Sequence, residues 1–186
     1  MDQAKESLRK KILTLLRQQE EEKRQAKSLA ICSKLLKDES FCAANIILFY
    51  ASFDGEVETL DIMKKAQTIG KKIALPKVEK ETRQIIPIMV NNLNSDLEKG
   101  DYGIDQPIDN KDNYVDINEL DLVIVPGVAF DRHNYRLGRG LGYYDRFLSK
   151  LSSNIPMFGL AFDFQILEAF HFKEPHDIAV TKVVTN

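Results

Sequence analysis

Short runs of consecutive apolar residues alternate with amphipathic helical patterns along this chain. The run at residues 46–50 and the Leu-Val-Ile-Val core of residues 120–125 have no polar face, which is typical of strands buried in a parallel sheet. Apolar residues at helical spacing predict two helices within residues 2–37 and a third from about residue 143 to 150. Strands that alternate with helices predict an α/β fold with a mostly parallel central sheet and helices on both faces.

Weaker strand signals complete the predicted sheet. Residues 72–76 and 84–90 are expected to form two more strands, in which Pro76 and Pro87 indicate strand ends or edge positions. Late strands are predicted at residues 157–162 and 178–184.

The segments between these strands carry helix and turn signals. Thr59 is expected to cap a helix that continues through Lys65 and ends near Gly70. Residues 91–118 are polar and are predicted to form a loop, with turns at Gly100 and Gly103.

Composition limits the classes of protein that fit this chain. A length of 186 residues is that of one ordinary domain, expected to span residues 1–186. The net charge of -2 argues against a duplex-binding surface, and no apolar run approaches the roughly 20 residues of a membrane span. Cys32 and Cys42 are too few for a disulfide framework, and no secretory signal is visible. We therefore expect a cytoplasmic protein that binds neither nucleic acid nor membrane.

The most informative motif is the run Arg-Leu-Gly-Arg-Gly-Leu-Gly-Tyr-Tyr-Asp at residues 136–145. Its three alternating glycines let the backbone approach a ligand closely, and a helix is predicted to begin directly after them. Arg136 and Arg139 place guanidinium groups beside those backbone N–H groups. Such a turn can hold a polyphosphate, and Asp145 at its end can supply a magnesium ligand.

The glycines alone are weak evidence, since a structural surface turn before a helix has the same pattern. The run lacks the Lys-Ser or Lys-Thr of the GxxxxGK[ST] phosphate loop, and its last glycine comes one residue too early for the dinucleotide GxGxxG fingerprint. The two arginines and Asp145 are the features that favour phosphate binding over a structural turn.

Other polar candidates lie in loops that follow apolar strands. Besides residues 126–145, these are residues 51–58 and the loop that contains residues 175–177. Ligands of open parallel sheets gather at the carboxyl ends of the strands, so the three loops can share one pocket. Lys5 and Arg9, four residues apart on one helix face, are candidates to join it.

Each candidate also has a structural interpretation. The histidines lack a neighbour at a spacing that suggests a catalytic triad. The other structural roles are solvation of a helix face for Lys5 and Arg9, helix-start acids for Glu56 and Glu58, a turn for Asp177, and core anchoring for Tyr143 and Tyr144.

Taken together, these motifs resemble the 5-formyltetrahydrofolate cyclo-ligase family, also called methenyltetrahydrofolate synthetases. The similarity covers almost the whole chain and is strongest at residues 136–146. No short motif is decisive, but their order and spacing are highly specific. The others are Lys5-x-x-Leu-Arg9, Glu56-Val-Glu-Thr59, Tyr102-Gly-Ile-x-x-Pro107, Pro126-Gly-Val-Ala-Phe-Asp131, and His176-Asp177 before a final strand that includes Thr185.

The resemblance implies an activity and an architecture. The activity is the ATP-dependent cyclisation of 5-formyltetrahydrofolate to 5,10-methenyltetrahydrofolate, with ADP and phosphate as products, in folate one-carbon metabolism. The implied intermediate is an iminium phosphate. The implied fold is a three-layer α/β/α sandwich, similar to the NagB/RpiA/CoA-transferase-like architecture. The expected partners are ATP, a reduced folate and Mg²⁺, and the expected state is a monomer.

The resemblance also assigns roles to individual residues. Arg139 and Glu56 are the implied catalytic residues, and Asp145 and Asp177 are expected to meet at one Mg²⁺ site. The implied folate site contains Ala51, Glu56, Arg139 and Tyr144. The implied ATP site contains Lys5, Glu6, Ser7, Leu8, Arg9, Arg136, Leu137, Gly138, Arg139, Gly140, Leu141, Gly142, Tyr143 and Tyr144. Glu56 is expected on the folate side because it lies away from every cationic motif in the sequence and a carboxylate repels triphosphate.

Two positions depart from the family's pattern. Asn134 stands where glycine is frequent, although asparagine tolerates a left-handed turn. Leu141 stands where glycine or lysine is frequent, so phosphate binding falls to Arg136 and Arg139. Two other functions remain open at this point: a sugar-phosphate or CoA-transferring enzyme of related architecture, and a non-catalytic nucleotide or folate sensor.

Overall fold

The computed structural model of this protein describes residues 3–100, 103–172, 174 and 177–186. Its helices, in chain order, are α1 (Gln3–Arg17), α2 (Glu21–Leu35), α3 (Glu39–Ala43), α4 (Leu60–Thr68) and α5 (Tyr143–Leu148). Its strands are β1 (Ile46–Leu48), β2 (Lys72–Glu79), β3 (Gln84–Val90), β4 (Leu97–Lys99), β5 (Asp105–Pro107), β6 (Leu122–Val125), β7 (Ala129–Asp131), β8 (Arg136–Leu137), β9 (Met157–Ala161), β10 (Ile166–Leu167) and β11 (Lys182–Thr185).

Six of these strands form the central sheet, in the order β11-β9-β6-β1-β2-β3. Neighbouring strands run parallel except for β2 and β3, which pair antiparallel. All four residues of β6 are buried, as the apolar run predicted for a strand covered on both faces. The predicted α/β fold with a mostly parallel sheet is confirmed.

Two hydrophobic clusters cover opposite faces of this sheet. Along β1, Ile47 packs in the first cluster and Leu48 in the second, because successive side chains of a strand point to opposite faces. The first cluster includes buried residues of α1 to α4, whereas the second includes Phe147 and Leu148 of α5. Helices therefore pack on both faces, as the alternating pattern predicted.

The sequence pattern did not predict two small sheets that consist of short strands. β7 lies between β10 and β8 in a three-stranded sheet, and β4 pairs with β5 as a hairpin within the segment that was expected to be loop. The expected turns at Gly100 and Gly103 lie between β4 and β5, where Gly103 has a φ of 72°. Strands of two or three residues are too short to produce a periodic pattern, which is why they were not predicted.

The two strand prolines face each other at the edge of the sheet. Pro76 of β2 pairs with Pro87 of β3, and β3 is the outermost strand on that side. β1 pairs only with residues 72–74 of β2, so Pro76 lies beyond its reach. Neither proline therefore occupies a position where a neighbouring strand requires a backbone N–H donor. The predicted edge placement is confirmed.

Helix boundaries differ from the predictions in a few places. α4 begins after Thr59 as expected, but the Thr59 hydroxyl donates to the carbonyl oxygen of Tyr50 at 2.6 Å and does not cap the helix. The unpredicted α3 is capped by Asp38, whose carboxylate accepts from two backbone N–H groups. β11 begins at Lys182, later than predicted. In the described ranges, no helix is long and apolar enough to cross a membrane.

Candidate active site

Two loops meet at the carboxyl edge of the central sheet. β1 and β6 are parallel neighbours, with Leu48 opposite Val123, so the chain leaves both strands at the same edge. The loop after β1 spans residues 49–59, and the chain after β6 passes through β7 and β8 into the glycine-rich run. Ion pairs join the two segments, so these two of the three predicted loops lie in contact.

The loop after β1 is fixed against the end of α1. Gly55 has a φ of 83° and lies so close to Leu16 that an added Cβ would approach its carbonyl oxygen to 2.2 Å. Asp54 also has a positive φ, 56°. Its carboxylate accepts from Nε and Nη2 of Arg17 at 2.7 and 2.9 Å. A contact that only glycine permits and a bidentate ion pair therefore hold this loop in place.

The glycine-rich run begins in the hairpin of β7 and β8. The buried Asp131 carboxylate accepts from two backbone N–H groups of the connecting turn, in which Asn134 has a φ of 65°. The expectation that asparagine adopts a left-handed turn here is confirmed. Beyond β8, Gly140 and Gly142 have φ values of 103° and 67°, and α5 begins at Tyr143 as predicted.

Arg139 lies at the centre of the contact between the two loops. Its Nη2 donates to Glu56 Oε1 at 2.9 Å, and its Nη1 donates to Asp54 Oδ2 at 2.9 Å. The guanidinium carbon lies 3.9 Å from the centroid of the Phe53 ring. The side chain remains 29% exposed, so part of this positive group is open to a ligand.

Glu56 is a buried carboxylate, with an exposed fraction of 7%. Burial raises the pKa of Glu56, while the neighbouring Arg139 opposes that rise. The expectation that Glu56 lies away from every cationic motif is therefore wrong. Its partner is 83 positions distant in the chain, and the two meet because β1 and β6 are neighbours, which no local pattern reveals.

Arg136 is a buried cation beneath the glycine-rich run. Its side chain is only 4% exposed, and its Nη2 donates to Asp145 Oδ1 at 2.6 Å. Burial lowers the pKa of Arg136, and the negative charge of Asp145 opposes that effect. Arg136 Nε and the Tyr144 hydroxyl are buried without a hydrogen-bond partner among the described residues. The Arg136 guanidinium, which was expected to bind phosphate, therefore points towards Asp145 inside the protein.

Asp145 and Asp177 lie near the same cation. The charge of Asp177 also raises the pKa of Arg136, so both carboxylates are within its electrostatic reach. Asp145 Oδ1 accepts from Arg136 and Asp177 Oδ2 accepts from the backbone N–H of Glu174. Each carboxylate keeps a second oxygen, and magnesium is commonly bound by one or two carboxylates together with substrate phosphates. This donor set fits Mg²⁺, although no group of three or more potential ligands occurs among the described residues.

α1 contributes Arg9 to the glycine-rich run and Lys5 to a contact with Phe172 and Glu174. Arg9 is buried, and its Nε donates to the carbonyl oxygen of Gly138 at 2.9 Å. Its guanidinium also lies against Gly140, where an added Cβ would be 3.6 Å from the guanidinium carbon. Lys5 pairs with Glu174 at 3.3 Å and lies over the ring of Phe172. Arg9 is therefore part of the site's framework and not a solvated helix charge.

This arrangement suits two kinds of ligand group. Arg139 is a partly open cation within the glycine-rich run, and Lys5 is a partly open cation of α1. Such cations bind phosphate oxygens. Glu56 is a buried acceptor of the loop after β1 and faces Arg139 of this run. A buried carboxylate of this kind can accept a hydrogen bond from an amine N–H.

Comparison with known proteins decides the family. The sequence model of the 5-formyltetrahydrofolate cyclo-ligase family matches residues 1–186. The chain belongs to this family. The predicted family, and with it the predicted cyclo-ligase enzyme class in folate one-carbon metabolism, is confirmed.

Individual cyclo-ligase relatives show the same similarity over nearly the full chain. A probable 5-formyltetrahydrofolate cyclo-ligase of Caenorhabditis elegans is 31% identical over 195 residues, covering 98% of this chain and 92% of the relative. The structure of Aquifex aeolicus 5,10-methenyltetrahydrofolate synthetase matches with a TM-score of 0.85 and 33% identity, over 97% of this chain and 89% of that one. A Mycoplasma pneumoniae 5,10-methenyltetrahydrofolate synthetase matches with a TM-score of 0.78 and 26% identity, over 100% and 99%.

Not every predicted cyclo-ligase site residue faces the site. Leu8 packs against the first hydrophobic cluster and Leu137 is buried within it, so only their backbone atoms are available to a ligand. Ser7 is exposed on α1, and Ala51 is half-buried in the loop after β1. Glu58, expected to be a helix-start acid, pairs with Arg24 of α2 at 3.0 Å. Two residues of the family motifs, Tyr102 and His176, lie outside the described residues.

The structure adds cyclo-ligase site residues that the sequence analysis missed. Asp54, Phe53 and Arg17 surround Arg139 or hold its partners, and the buried Tyr50 hydroxyl donates to the Val57 carbonyl oxygen at 3.3 Å. The Asp54-Gly55 dipeptide was an available turn signal in the sequence. No signal indicated that its carboxylate would pair with two arginines.

Proposed function

We propose that this chain cyclises 5-formyltetrahydrofolate to 5,10-methenyltetrahydrofolate with consumption of ATP. The observation that carries the proposal is the joint position of Arg139 and Glu56, because one site then offers a cation for phosphate and a buried acceptor for an amine. Membership of the cyclo-ligase family supports this assignment over sugar-phosphate or CoA transfer.

The proposed chemistry has two steps. An N-formyl oxygen is a poor leaving group, so it first attacks the γ-phosphorus of ATP, which releases ADP and forms an iminium phosphate. The folate N10 amine then attacks the activated carbon and gives up its proton, and the C–O bond breaks as phosphate departs. Phosphoryl transfer depends mainly on positioning and charge neutralisation, so the protein needs donors and cations here and no covalent nucleophile.

The residues have distinct roles in this proposal. Arg139 stabilises the transferring phosphoryl group through N–H groups directed at its oxygens. Glu56 accepts a hydrogen bond from the N10 amine and orients it towards the reacting carbon. Lys5 contacts the ATP phosphates, and Arg9 holds the glycine turn in the shape that exposes its backbone N–H groups.

Asp145 and Asp177 would hold Mg²⁺ through the oxygens that are not engaged by Arg136 and the Glu174 backbone. A bound Mg²⁺ ion supplies positive charge to the ATP phosphates during transfer. The positive charge of Arg136 offsets the like charges of the two carboxylates, which favours their sharing of a cation.

The broader features proposed for the molecule follow the family resemblance. We propose one domain over residues 1–186, a three-layer α/β/α sandwich of the NagB/RpiA/CoA-transferase-like architecture, and a monomeric state. A cytoplasmic location agrees with two cysteines that are both free, one buried and one exposed.

The direct test is incubation of the protein with ATP, Mg²⁺ and 5-formyltetrahydrofolate while the near-ultraviolet band of the methenyl product is followed. We expect product only when nucleotide and divalent cation are both present. Arg139→Ala is expected to lower turnover by about 10²–10³, because it removes a preorganised charged donor. Equal product without nucleotide would refute the proposal, and tight binding of both ligands without product would indicate a sensor.

A further inference from the structure

The Arg139 guanidinium is held at both ends. Nε and Nη2 donate to Glu56 Oε1 at 3.3 and 2.9 Å, and Nη1 donates to Asp54 Oδ2 at 2.9 Å. A guanidinium carries five N–H donors in a planar fork. Three are therefore engaged, and the remaining two, one on each terminal nitrogen, have no acceptor among the described residues. Stacking on Phe53 fixes the plane of the fork.

Asp54 is anchored more firmly than an ordinary loop aspartate. Arg17 at the end of α1 donates to both of its carboxylate oxygens, at 2.7 and 2.9 Å. The following Gly55 is pressed against the carbonyl oxygen of Leu16 in the same helix. Asp54 itself has a φ of 56°, a conformation that is unfavourable for most residues and persists only where its surroundings enforce it.

We infer that Asp54 is a positioning residue for the proposed phosphoryl transfer, in that it aims the two remaining N–H groups of Arg139. α1 fixes Asp54, Asp54 fixes Nη1, and Glu56 fixes the other side of the fork. Without Asp54 the guanidinium keeps one acidic partner among the described residues, Glu56, and can rotate about that contact. The inference rests on the proposed function of Arg139.

Two substitutions of Asp54 separate this role from loop stability. Asp54→Asn keeps the size and tolerates a positive φ, and Asp54→Gly adopts that φ without strain. Both remove the carboxylate, but their effects on the backbone differ. We expect both to lower kcat by about tenfold, a smaller loss than removal of the donor itself, because Arg139 is misdirected and not deleted. The KM values for ATP and for 5-formyltetrahydrofolate are expected to stay within about twofold, since the interaction matters most in the transition state.

Asp163→Asn is the matched control. Asp163 is also an aspartate in an ion pair, 2.8 Å from Lys27, and it has no contact with Arg139. This variant is expected to keep the wild-type kcat. Thermal midpoints of all three variants are measured in parallel, and a kcat loss in Asp54→Gly with an unchanged or raised midpoint is the result that a purely structural role cannot produce.

The outcomes are distinguishable from those that test the proposed function. A wild-type kcat in both Asp54 variants, together with a large loss in Arg139→Ala, overturns the positioning role and leaves the proposed function intact. A kcat that falls only in step with the thermal midpoint also overturns it. A wild-type protein that makes no methenyl product refutes the proposed function and the inference with it.

Discussion

The Nε group of Arg9 donates a hydrogen bond of 2.9 Å to the carbonyl oxygen of Gly138, and so connects α1 to the glycine-rich run. The same guanidinium lies against Gly140, in a space that a larger residue would narrow. A helix remote in sequence thus sets the shape of the proposed phosphate turn.

Replacing Arg9 is therefore expected to affect nucleotide binding through the shape of the turn. Arg9→Lys keeps the charge but removes the Nε donor, and we expect a raised KM for ATP and a loss of about 1–3 kcal/mol in the free energy of unfolding. Steady-state kinetics and denaturant unfolding measure both. Lys10→Gln, at the next and exposed position, is the control. Unaltered ATP kinetics in Arg9→Lys would contradict this view of the residue.

Asp145→Asn and Asp177→Asn are both expected to weaken magnesium-dependent activity. They are expected to lower the free energy of unfolding by different amounts. Asp145→Asn leaves Arg136 as a buried cation without its closest partner. Because the Asp145 side chain is 27% exposed, the expected loss is less than the roughly 3–5 kcal/mol of a fully buried pair. Asp177→Asn removes a more distant charge and is expected to lower stability much less. Unfolding curves and magnesium titrations of activity test this, with partial rescue of both variants by excess magnesium. Equal stability of the two variants would count against the Arg136 pairing.

Glu56→Gln is expected to impair the use of 5-formyltetrahydrofolate and to leave the binding of ATP nearly unchanged. The substitution keeps the size but removes the charge that accepts from the folate amine and from Arg139. Calorimetric titration with a non-hydrolysable ATP analogue, in the absence of folate, separates the two ligands. A variant that loses nucleotide affinity but keeps folate affinity would show that Glu56 is placed on the wrong side.

Tyr144→Phe is expected to raise the free energy of unfolding in the absence of ligands. The Tyr144 hydroxyl is buried without a hydrogen-bond partner among the described residues. An unpaired buried hydroxyl lowers the free energy of unfolding by roughly 1–3 kcal/mol. Thermal unfolding of the wild-type protein and the variant measures the change. A lower midpoint for the variant would mean that the hydroxyl has a partner, such as an ordered water molecule.

The stabilising effect of Asp54 is expected to disappear at strongly acidic pH. The hydrogen bond from Arg17 holds the pKa of Asp54 below its ordinary value of 3.8, and Arg139 acts in the same direction. Because the folded state binds the proton less readily than the unfolded chain, this contribution is complete above 3.8 and disappears as pH falls through the lower folded pKa. The midpoint difference between wild type and Asp54→Asn should shrink below that pH. A difference that stays constant from neutral pH to strongly acidic pH would exclude this linkage.

Local pattern was sufficient for the main elements of the sheet. The strand predicted at residues 84–90 is β3 with the same bounds, because β-branched and other apolar residues pack well on the pleated surface of a sheet. The start of α5 at Tyr143 followed from the glycines before it. Short strands such as β10 depend on a partner distant in the chain and produce no periodic pattern.

The site was predicted as a set of motifs but not as a set of contacts. Lys5, Arg9, Glu56 and Arg139 were named from sequence, yet the Glu56–Arg139 pair depends on which strands are neighbours. Asp54 was missed because its role comes from a positive φ and from two arginines distant in the chain. The positive φ of Asp54 is maintained by its tertiary contacts, which sequence pattern does not record.

The glycine-rich run is held by β8, by Arg9 and by α5, whereas Leu141 within it is exposed. β8 pairs with β7 before it and α5 packs into the second hydrophobic cluster after it, whereas the Leu141 side chain is 65% exposed and its carbonyl oxygen accepts from Arg146. The side chain at this position is therefore uncoupled from the framework that supports it. If the proposed nucleotide site is correct, exchange of Leu141 alters the charge and bulk presented to the nucleotide while the register of the neighbouring strands is preserved, so ligand preference can evolve here independently of folding.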